Sequence, residues 1–352
     1  MNIIHIADES WDSGLTEYAL LLAQTQRAGH KILFIARENG HAAKECAARG
    51  LAVLETAKGC GGILKILPRA AKFKPDIINA HTGSAHSCGL LLKLMLLGRP
   101  ALVRTRADAR RLKAKPLAAL QWRFTDGFIA ANSAILADFA MLRFKKPDAR
   151  MILQGINANP SSEPMPKTPV IGMAGRLDPV KDHRTAIAAL SLVKKSLPDA
   201  VLRIAGAEKN IKAAQLADYA ESLGIKDSVK LEGFVPDMEA FMRQCSVGLI
   251  ASCGSEAVSR AAIEWLAQSR PVAATNVGGI PDLIEDGKTG FIVPPQKPEE
   301  MAKALLAMLS NPSKLSKMSE AAARAYKECF TARKFAEDTC AFYAEITNAR
   351  KK

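Results

Sequence analysis

The stretch GSEAVSRAAIEWLAQSRPVAATNVGGIPDLI, residues 254–284, decides how the chain is read, because it sets Glu256 and Glu264 eight positions apart around the start of a helix. Side chains advance by about 100° per residue on a helix, so two acids at this spacing on one continuous helix would point about 80° apart and would not share a ligand. Ser259 is a good N-cap, and residues 260–268 alternate apolar and polar side chains with helical period, which predicts a helix beginning after Ser259. Glu256 then lies in the loop before the helix and Glu264 in its second turn, and both can flank whatever sits at the helix N-terminus. Unpaired N–H groups and the positive end of the helix dipole make such a terminus attractive to phosphate. On spacing alone, a surface helix carrying two solvated acids fits equally well.

A second constellation, Gly172-Met-Ala-Gly175-Arg176-Leu-Asp-Pro-Val-Lys181, follows a predicted strand over 169–173. Glycines at a strand end let the backbone approach an anion closely, and Arg176 and Lys181 supply charge for two adjacent phosphates. Together with Gly233-Phe234-Val235 and Val277-Gly278-Gly279-Ile280-Pro281, in the same order, these segments resemble the retaining, nucleotide-sugar-dependent glycosyltransferases of family 4 (glycosyl transferases group 1), which have the GT-B architecture. The resemblance is close in the second half of the chain and looser in the first.

That resemblance implies an α/β fold of two Rossmann-like parallel-sheet domains facing a central cleft. Residues 1–160 would form the acceptor domain and 161–331 the nucleotide-sugar donor domain, with 332–352 a helix crossing back to the first. Donor-binding positions would be Gly14, Gly175, Arg176, Lys181, Gly206, Val235, Glu256, Val258, Ser259 and Glu264. Glu264 would accept the ribose hydroxyls, Glu256 would hold sugar hydroxyls, and Arg176 and Lys181 would stabilise the departing diphosphate in place of a metal. Catalytic positions are thus Glu256, Arg176, Lys181 and His81, with no metal and no cofactor beyond the co-substrate. His81 occupies the place of a family histidine near sugar and acceptor, although a lone histidine after a strand reads more simply as structural. His81, Arg104, Arg106 and Asp108 would face the acceptor. The chain departs from the family pattern in having a single Gly14 where two glycines are usual, Ala257-Val258-Ser259 in place of Gly-Phe-Gly, and Arg104-Thr-Arg106-Ala107-Asp108 where a histidine pair is common. The arginines suggest an anionic acceptor; the rival is that they bind neighbouring acids.

Composition agrees with this reading. The 352 residues, 48% hydrophobic, suit two well-filled domains. Seven scattered cysteines without a CxxC pair read as reduced thiols, and the opening MNIIHIADES reads as a strand rather than a secretory signal. The expected location is the cytoplasm, with association to the inner face of the cytoplasmic membrane as a further expectation. Of the formal charge of +14, the first 160 residues carry +11, from 23 Lys and Arg against 12 Asp and Glu. The basic side chains are densest at Arg104, Arg106, Arg110, Arg111, Lys113 and Lys115. Few aromatics and no nucleic-acid module argue against nucleic acid. An anionic leaflet, a phosphorylated acceptor or a plain solvated surface each fit.

Strand-like segments are predicted at 3–7, 32–36, 52–55, 76–80, 101–104, 127–130 and 151–153, with helical patterns between most of them. After a Pro-rich joint at 159–169, the pattern restarts with strands at 170–173, 202–205, 229–232, 247–251, 272–274 and 291–293, then helices at 298–310, 313–327 and 332–346. This order predicts parallel sheets with helices on both faces. Transfer of a sugar to a saccharide or glycolipid in cell-envelope or lipopolysaccharide synthesis is the expected function. The alternatives are a nucleotide-sugar epimerase of the same architecture and a non-catalytic nucleotide-sugar-binding subunit.

Overall fold

The computed structural model describes the chain apart from Lys58, Arg111, residues 113–115, Ser162, Ser255 and Lys352, and describes only the backbone of residues 59, 60 and 116–118. Arg111, Lys113 and Lys115 of the basic stretch therefore lie outside the described residues. The chain divides into unit 1, Met1–Gly155 with Ala332–Lys352, and unit 2, Ile156–Thr331.

Unit 1 contains strands β1 (Asn2–Ala7), β2 (Lys31–Arg37), β3 (Val53–Thr56), β4 (Ile77–Ala80), β5 (Ala101–Arg106), β6 (Gly127–Ala130) and β7 (Asp148–Met151). Between them run α1 (Gly14–Gln26), α2 (His41–Ala48), α3 (Ile63–Phe73), α4 (Gly83–Met95), α5 (Pro116–Arg123) and α6 (Ser133–Ala140). Unit 2 has β8 (Val170–Ala174), β9 (Val201–Ala205), β10 (Val229–Gly233), β11 (Val247–Ile250), β12 (Val272–Thr275) and β13 (Gly290–Val293). Its helices are α7 (His183–Val193), α8 (Ala213–Ser222), α9 (Met238–Arg243), α10 (Arg260–Ala267), α11 (Pro298–Leu309) and α12 (Pro312–Cys329), and the chain ends with α13 (Ala332–Ala349) in unit 1.

Both sheets are wholly parallel, ordered β3-β2-β1-β4-β5-β6-β7 and β10-β9-β8-β11-β12-β13. Buried on both faces, such strands read as near-continuous apolar runs, which is why Ile3, Ile4, Ile6 and Ala7 are all 0% exposed. In each sheet the order reverses once, beside β1 and β4 in unit 1 and beside β8 and β11 in unit 2. Ligands of open α/β sheets bind at the carboxyl ends of strands at such a reversal. Among the predicted strands, the one expected at 151–153 forms instead as β7 at Asp148–Met151. All four of its residues are exposed, so no buried-face pattern marks its position in the sequence.

In unit 1, α13 packs on the sheet and on α1. Arg150 grips Glu345 with two bonds of 2.9 and 2.7 Å, Asn79 donates to the Tyr343 hydroxyl at 2.6 Å, and Tyr18 meets Phe335 edge-on at 4.9 Å. The Pro-rich joint is not free at its start. Gln268 donates to the Asn159 carbonyl at 3.0 Å, Ser269 to that of Ser161 at 2.5 Å, and the fully buried Arg270 to that of Glu163 at 3.2 Å. The polar turn after α10 thus holds Asn159, Ser161 and Glu163 on unit 2. In that unit's core, Trp265 of α10 lies over Gly172 of β8 and Gly248 of β11, where an added Cβ would come within 2.3 and 2.5 Å of the ring. This seating fixes α10 against the strand reversal. No helix among the described residues is long and apolar enough to cross a membrane.

Candidate active site

Four loops converge at the carboxyl ends of β8, β9, β11 and β12. After β8, Gly175 turns the chain and Lys181 lies across it, its aliphatic carbons 3.5–3.8 Å from where a Cβ on Gly175 would be. Gly206, after β9, admits this turn because a Cβ there would meet the Gly175 carbonyl oxygen at 2.0 Å. Lys181 reaches the loop after β11 and pairs with Glu256 Oε1 at 2.5 Å. The two loops are also joined along their backbones by Cys253 N–H donating to the Val180 carbonyl at 2.9 Å. Ser252 Oγ, fully buried, donates to the same Glu256 oxygen at 2.7 Å. One carboxylate oxygen thus takes both a lysine and a serine.

The Val277-Gly278-Gly279 loop braces Glu256 from behind. Gly279 N–H donates to the Glu256 carbonyl at 2.7 Å, and at Gly278 (φ 60°) a Cβ would overlap that carbonyl oxygen at 2.0 Å. Gly278→Ala combines left-handed strain with a backbone clash, so we expect it to shift Glu256 and to destabilise the fold by about 1–3 kcal/mol. Thermal unfolding together with turnover would register both effects, and a variant with wild-type values of each would remove the bracing role.

The other predicted donor residues lie in the loops after β8, β10 and β11 and in α10. Arg176 is exposed and its Nε lies 3.4 Å from Asp178 Oδ2. Burial pushes the Asp178 carboxyl up, but bonds from Val180 N–H, Arg176 and Asn210 outweigh it and hold the group below its ordinary value. The predicted helix forms as α10 after Ser259, whose side chain makes no capping bond, so the helix N-terminus has no side-chain cap. Glu264, 3.5 Å from Arg260, has its carboxyl pKa raised by burial against the pull of that arginine. Val235 and Val258 are half-buried in the loops after β10 and β11.

Unit 1 treats its predicted residues differently. His81 is 1% exposed, and its Nε2 is 3.0 Å from Nδ1 of His5, whose Nε2 is 2.8 Å from Gln26 Oε1. Burial holds His5 down to about 4 and, with His5 and Arg104 adding to it, holds His81 well below its ordinary value, so both rings are neutral at pH 7. Gln26 Oε1 requires a proton on His5 Nε2, which leaves His5 Nδ1 to accept from His81 Nε2 and His81 Nδ1 as an unprotonated acceptor. Arg104 is 5% exposed rather than on the surface, bonded to the carbonyls of Ala80 (2.9 Å) and Thr105. Burial lowers its pKa to about 10. Arg106, 9% exposed, donates to Asp108 at 3.0 Å and to the Arg110 carbonyl. For Arg106 the rival expectation, pairing with a neighbouring acid, describes the geometry. Gly14 opens α1, where Ser13 caps Thr16 N–H at 3.0 Å, and a Cβ on Gly14 would meet nothing within 4 Å.

Two functional candidates were not read from the sequence. Ser252 carries no motif of its own; its only signal is its place at the end of a strand, four residues before Glu256. Asp8, just past β1, is 7% exposed and accepts from the Thr82 hydroxyl through Oδ1. Asp8 Oδ2, His81 Nδ1 and Arg106 Nε are buried with no hydrogen-bond partner among the described residues. They stand at the ends of the adjacent strands β1, β4 and β5. Among the described residues no group of three or more His, Cys, Asp or Glu is placed to hold a metal ion.

Two doubly wound parallel-sheet units, one with its charged loops gathered at the strand reversal, define the GT-B fold class. Residues 156–325 match the family described as Glycosyl transferases group 1, and unit 2 is a domain of that family. The chain is 28% identical over 219 residues to the D-inositol 3-phosphate glycosyltransferase of Streptomyces avermitilis, a match covering 60% of this chain and 46% of that protein. It thus spans about half the length of this relative. The structure of Anabaena HepE in complex with UDP superposes with a TM-score of 0.80 at 19% identity, over 98% of this chain and 100% of that one. The apo lipopolysaccharide outer core galactosyltransferase WaaB gives a TM-score of 0.77 at 13% identity, over 97% and 99%. These likenesses establish the fold.

Proposed function

We propose that this chain is a retaining glycosyltransferase that moves a sugar from a nucleotide diphosphate sugar to a saccharide or lipid-linked acceptor of the cell envelope. The observation that carries the reading is the Lys181–Glu256–Ser252 cluster at the β8 and β11 ends, beside the N-terminus of α10. Breaking the bond between the anomeric carbon and the diphosphate sends the electron pair to phosphate oxygen. Lys181, Arg176 and the α10 amides stabilise that charge without requiring a metal. Glu256 Oε2 holds sugar hydroxyls and favours positive charge at the anomeric carbon. The acceptor hydroxyl attacks from the face the diphosphate leaves, and its proton passes to the departing phosphate. The unpartnered Asp8 Oδ2 and His81 Nδ1 suit an acceptor hydroxyl, and Arg106 Nε an acceptor oxygen. The UDP bound to HepE and the inositol phosphate in the name of the Streptomyces relative support a nucleoside diphosphate and a phosphorylated acceptor.

The test is a thermal-shift screen of nucleoside diphosphates and nucleotide sugars, followed by a transfer assay with labelled donor with and without chelator. A ligand at about 100 times its Kd raises stability by about 2.7 kcal/mol, so one diphosphate should stand out. Transfer should require an acceptor and persist after chelation. Epimerised donor formed without acceptor, or no response to any nucleoside diphosphate, would overturn the reading.

A further inference from the structure

In unit 1, helices α4, α5 and α6 connect successive strands and end where β5, β6 and β7 begin. Ten large hydrophobic side chains are exposed among the described residues, and half of them fall within residues 94–141, at or just past the ends of these three helices. They are Leu94 (51%), Leu97 (82%), Leu120 (57%), Phe124 (42%) and Met141 (81%). Single exposed hydrophobics are ordinary, but a concentration at one end of neighbouring helices is not. The segments touch. Lys93 Nζ donates to the Phe124 carbonyl at 2.9 Å, Trp122 stacks on Phe144 with ring centroids 6.0 Å apart, and Lys146 bonds the Ala140 carbonyl.

Leu97 is also held in the left-handed region (φ 56°), ahead of Gly98 at φ 68°. That conformation is unfavourable for leucine, and here it presents the side chain to water. Around these residues the exposed charged side chains include Arg99, Arg123, Arg143 and Lys145. Of the acids at this end of the strands, Asp126 is occupied by Lys93 at 2.6 Å and Arg350 at 3.4 Å, while Asp76 and Asp148 are exposed, so the basic side chains named here outnumber the open acids by four to two. Basic residues near helix ends complement the helix dipole and would need no other explanation. Large apolar side chains beside them in water are not explained that way.

We propose that this edge of unit 1 binds an anionic lipid leaflet, with Leu97, Phe124 and Met141 entering the headgroup boundary and Arg99, Arg123, Arg143 and Lys145 facing lipid phosphates. Charge complementarity selects lipid over an apolar protein partner, and burial of apolar area adds to electrostatic attraction at such a boundary. The surface lies at the opposite end of the strands from His81 and Asp8, so lipid bound here leaves those groups open. It is distinct from the stretch read from sequence, of which Arg104 and Arg106 are buried, Arg110 is exposed, and Arg111, Lys113 and Lys115 lie outside the described residues. The proposal does not depend on the glycosyl-transfer reading.

The experiment is co-sedimentation of the full chain with vesicles of phosphatidylglycerol and phosphatidylcholine, against phosphatidylcholine alone, at low and high salt. Binding should require the anionic lipid and fall with salt, since exposed charges are screened beyond about 8–10 Å at physiological ionic strength. Arg123→Glu with Lys145→Glu, and separately Leu97→Ser with Phe124→Ser, should each lower the partition coefficient about tenfold or more. Thermal unfolding should be unchanged in the charge variant, which keeps the test decisive if the apolar variant folds poorly. Absence of binding at low salt, or equal binding by the folded charge variant, overturns the proposal. So does self-association that the same substitutions abolish without any vesicle binding.

Discussion

Lys181→Ala is expected to lower turnover by about 10²-fold or more, because charge forming on a leaving diphosphate needs a cation already in place. The substitution also leaves the 5%-exposed Glu256 with Ser252 as its remaining side-chain donor among the described residues, so some stability should be lost with activity. Arg176→Ala separates the two effects. Its side chain is 54% exposed and its one ion pair among the described residues is with Asp178 at 3.4 Å, so its removal should cost comparable turnover at unchanged unfolding temperature. Rates under saturating donor, measured beside thermal unfolding, decide the matter, and wild-type turnover in both variants would dissolve the proposed clamp.

The second large effect divides the two glutamates. Glu256→Gln keeps an acceptor for Ser252 but loses the ion pair with Lys181, and should cut the chemical step by about 10²-fold while leaving nucleoside diphosphate affinity nearly unchanged. Glu264→Gln should instead weaken binding of the nucleoside diphosphate itself, by roughly tenfold, the scale of a hydrogen bond to a charged group. Burial raises the Glu264 pKa above its ordinary 4.5. The wild-type carboxyl therefore takes up its proton at higher pH than an unburied one, and nucleoside diphosphate affinity should fall as pH drops through that raised value. Glu264→Gln should lack this step. The same shift has the opposite sign for folding. A raised folded-state value favours the protonated fold, so this group's contribution is fully present below 4.5 and is lost as pH rises through the folded value. Acid that weakens nucleotide binding should thus not unfold the protein through Glu264. Titration calorimetry across pH on both variants tests this, and equal losses of nucleotide affinity would merge the two roles.

The local elements that carry the proposed donor side were legible because their determinants are short-range. A glycine turn after a strand, two cations five residues apart and a helix beginning after Ser259 are short-range patterns, and the structure builds them as β8, its turn and α10. The alternation of strands and helices was legible for the same reason, since strands buried on both faces read as apolar runs between helical periods. Where that pattern fails, at the fully exposed β7, the predicted strand lay three residues late at its start.

Burial and partnership belong to the tertiary structure. Arg104 and Arg106 read as surface charge, yet β5 lies inside a seven-stranded sheet, and their guanidinium groups turn to carbonyls and to Asp108. His81 meets His5 across 76 residues because β1 and β4 are adjacent at the reversal of strand order, which no local pattern encodes. Ser252 and Lys181 converge on one oxygen of Glu256 because β8 and β11, far apart in the chain, pair side by side. The exposure of Leu97 and Phe124 is likewise decided by packing. The sequence by itself determined which segments are strands and helices and where Arg176, Lys181 and the two glutamates stand along them. Which charges stay open, which are spent on carbonyls and which apolar side chains reach water was decided by strand order, because adjacency in a parallel sheet brings together residues that the intervening helices keep far apart in sequence.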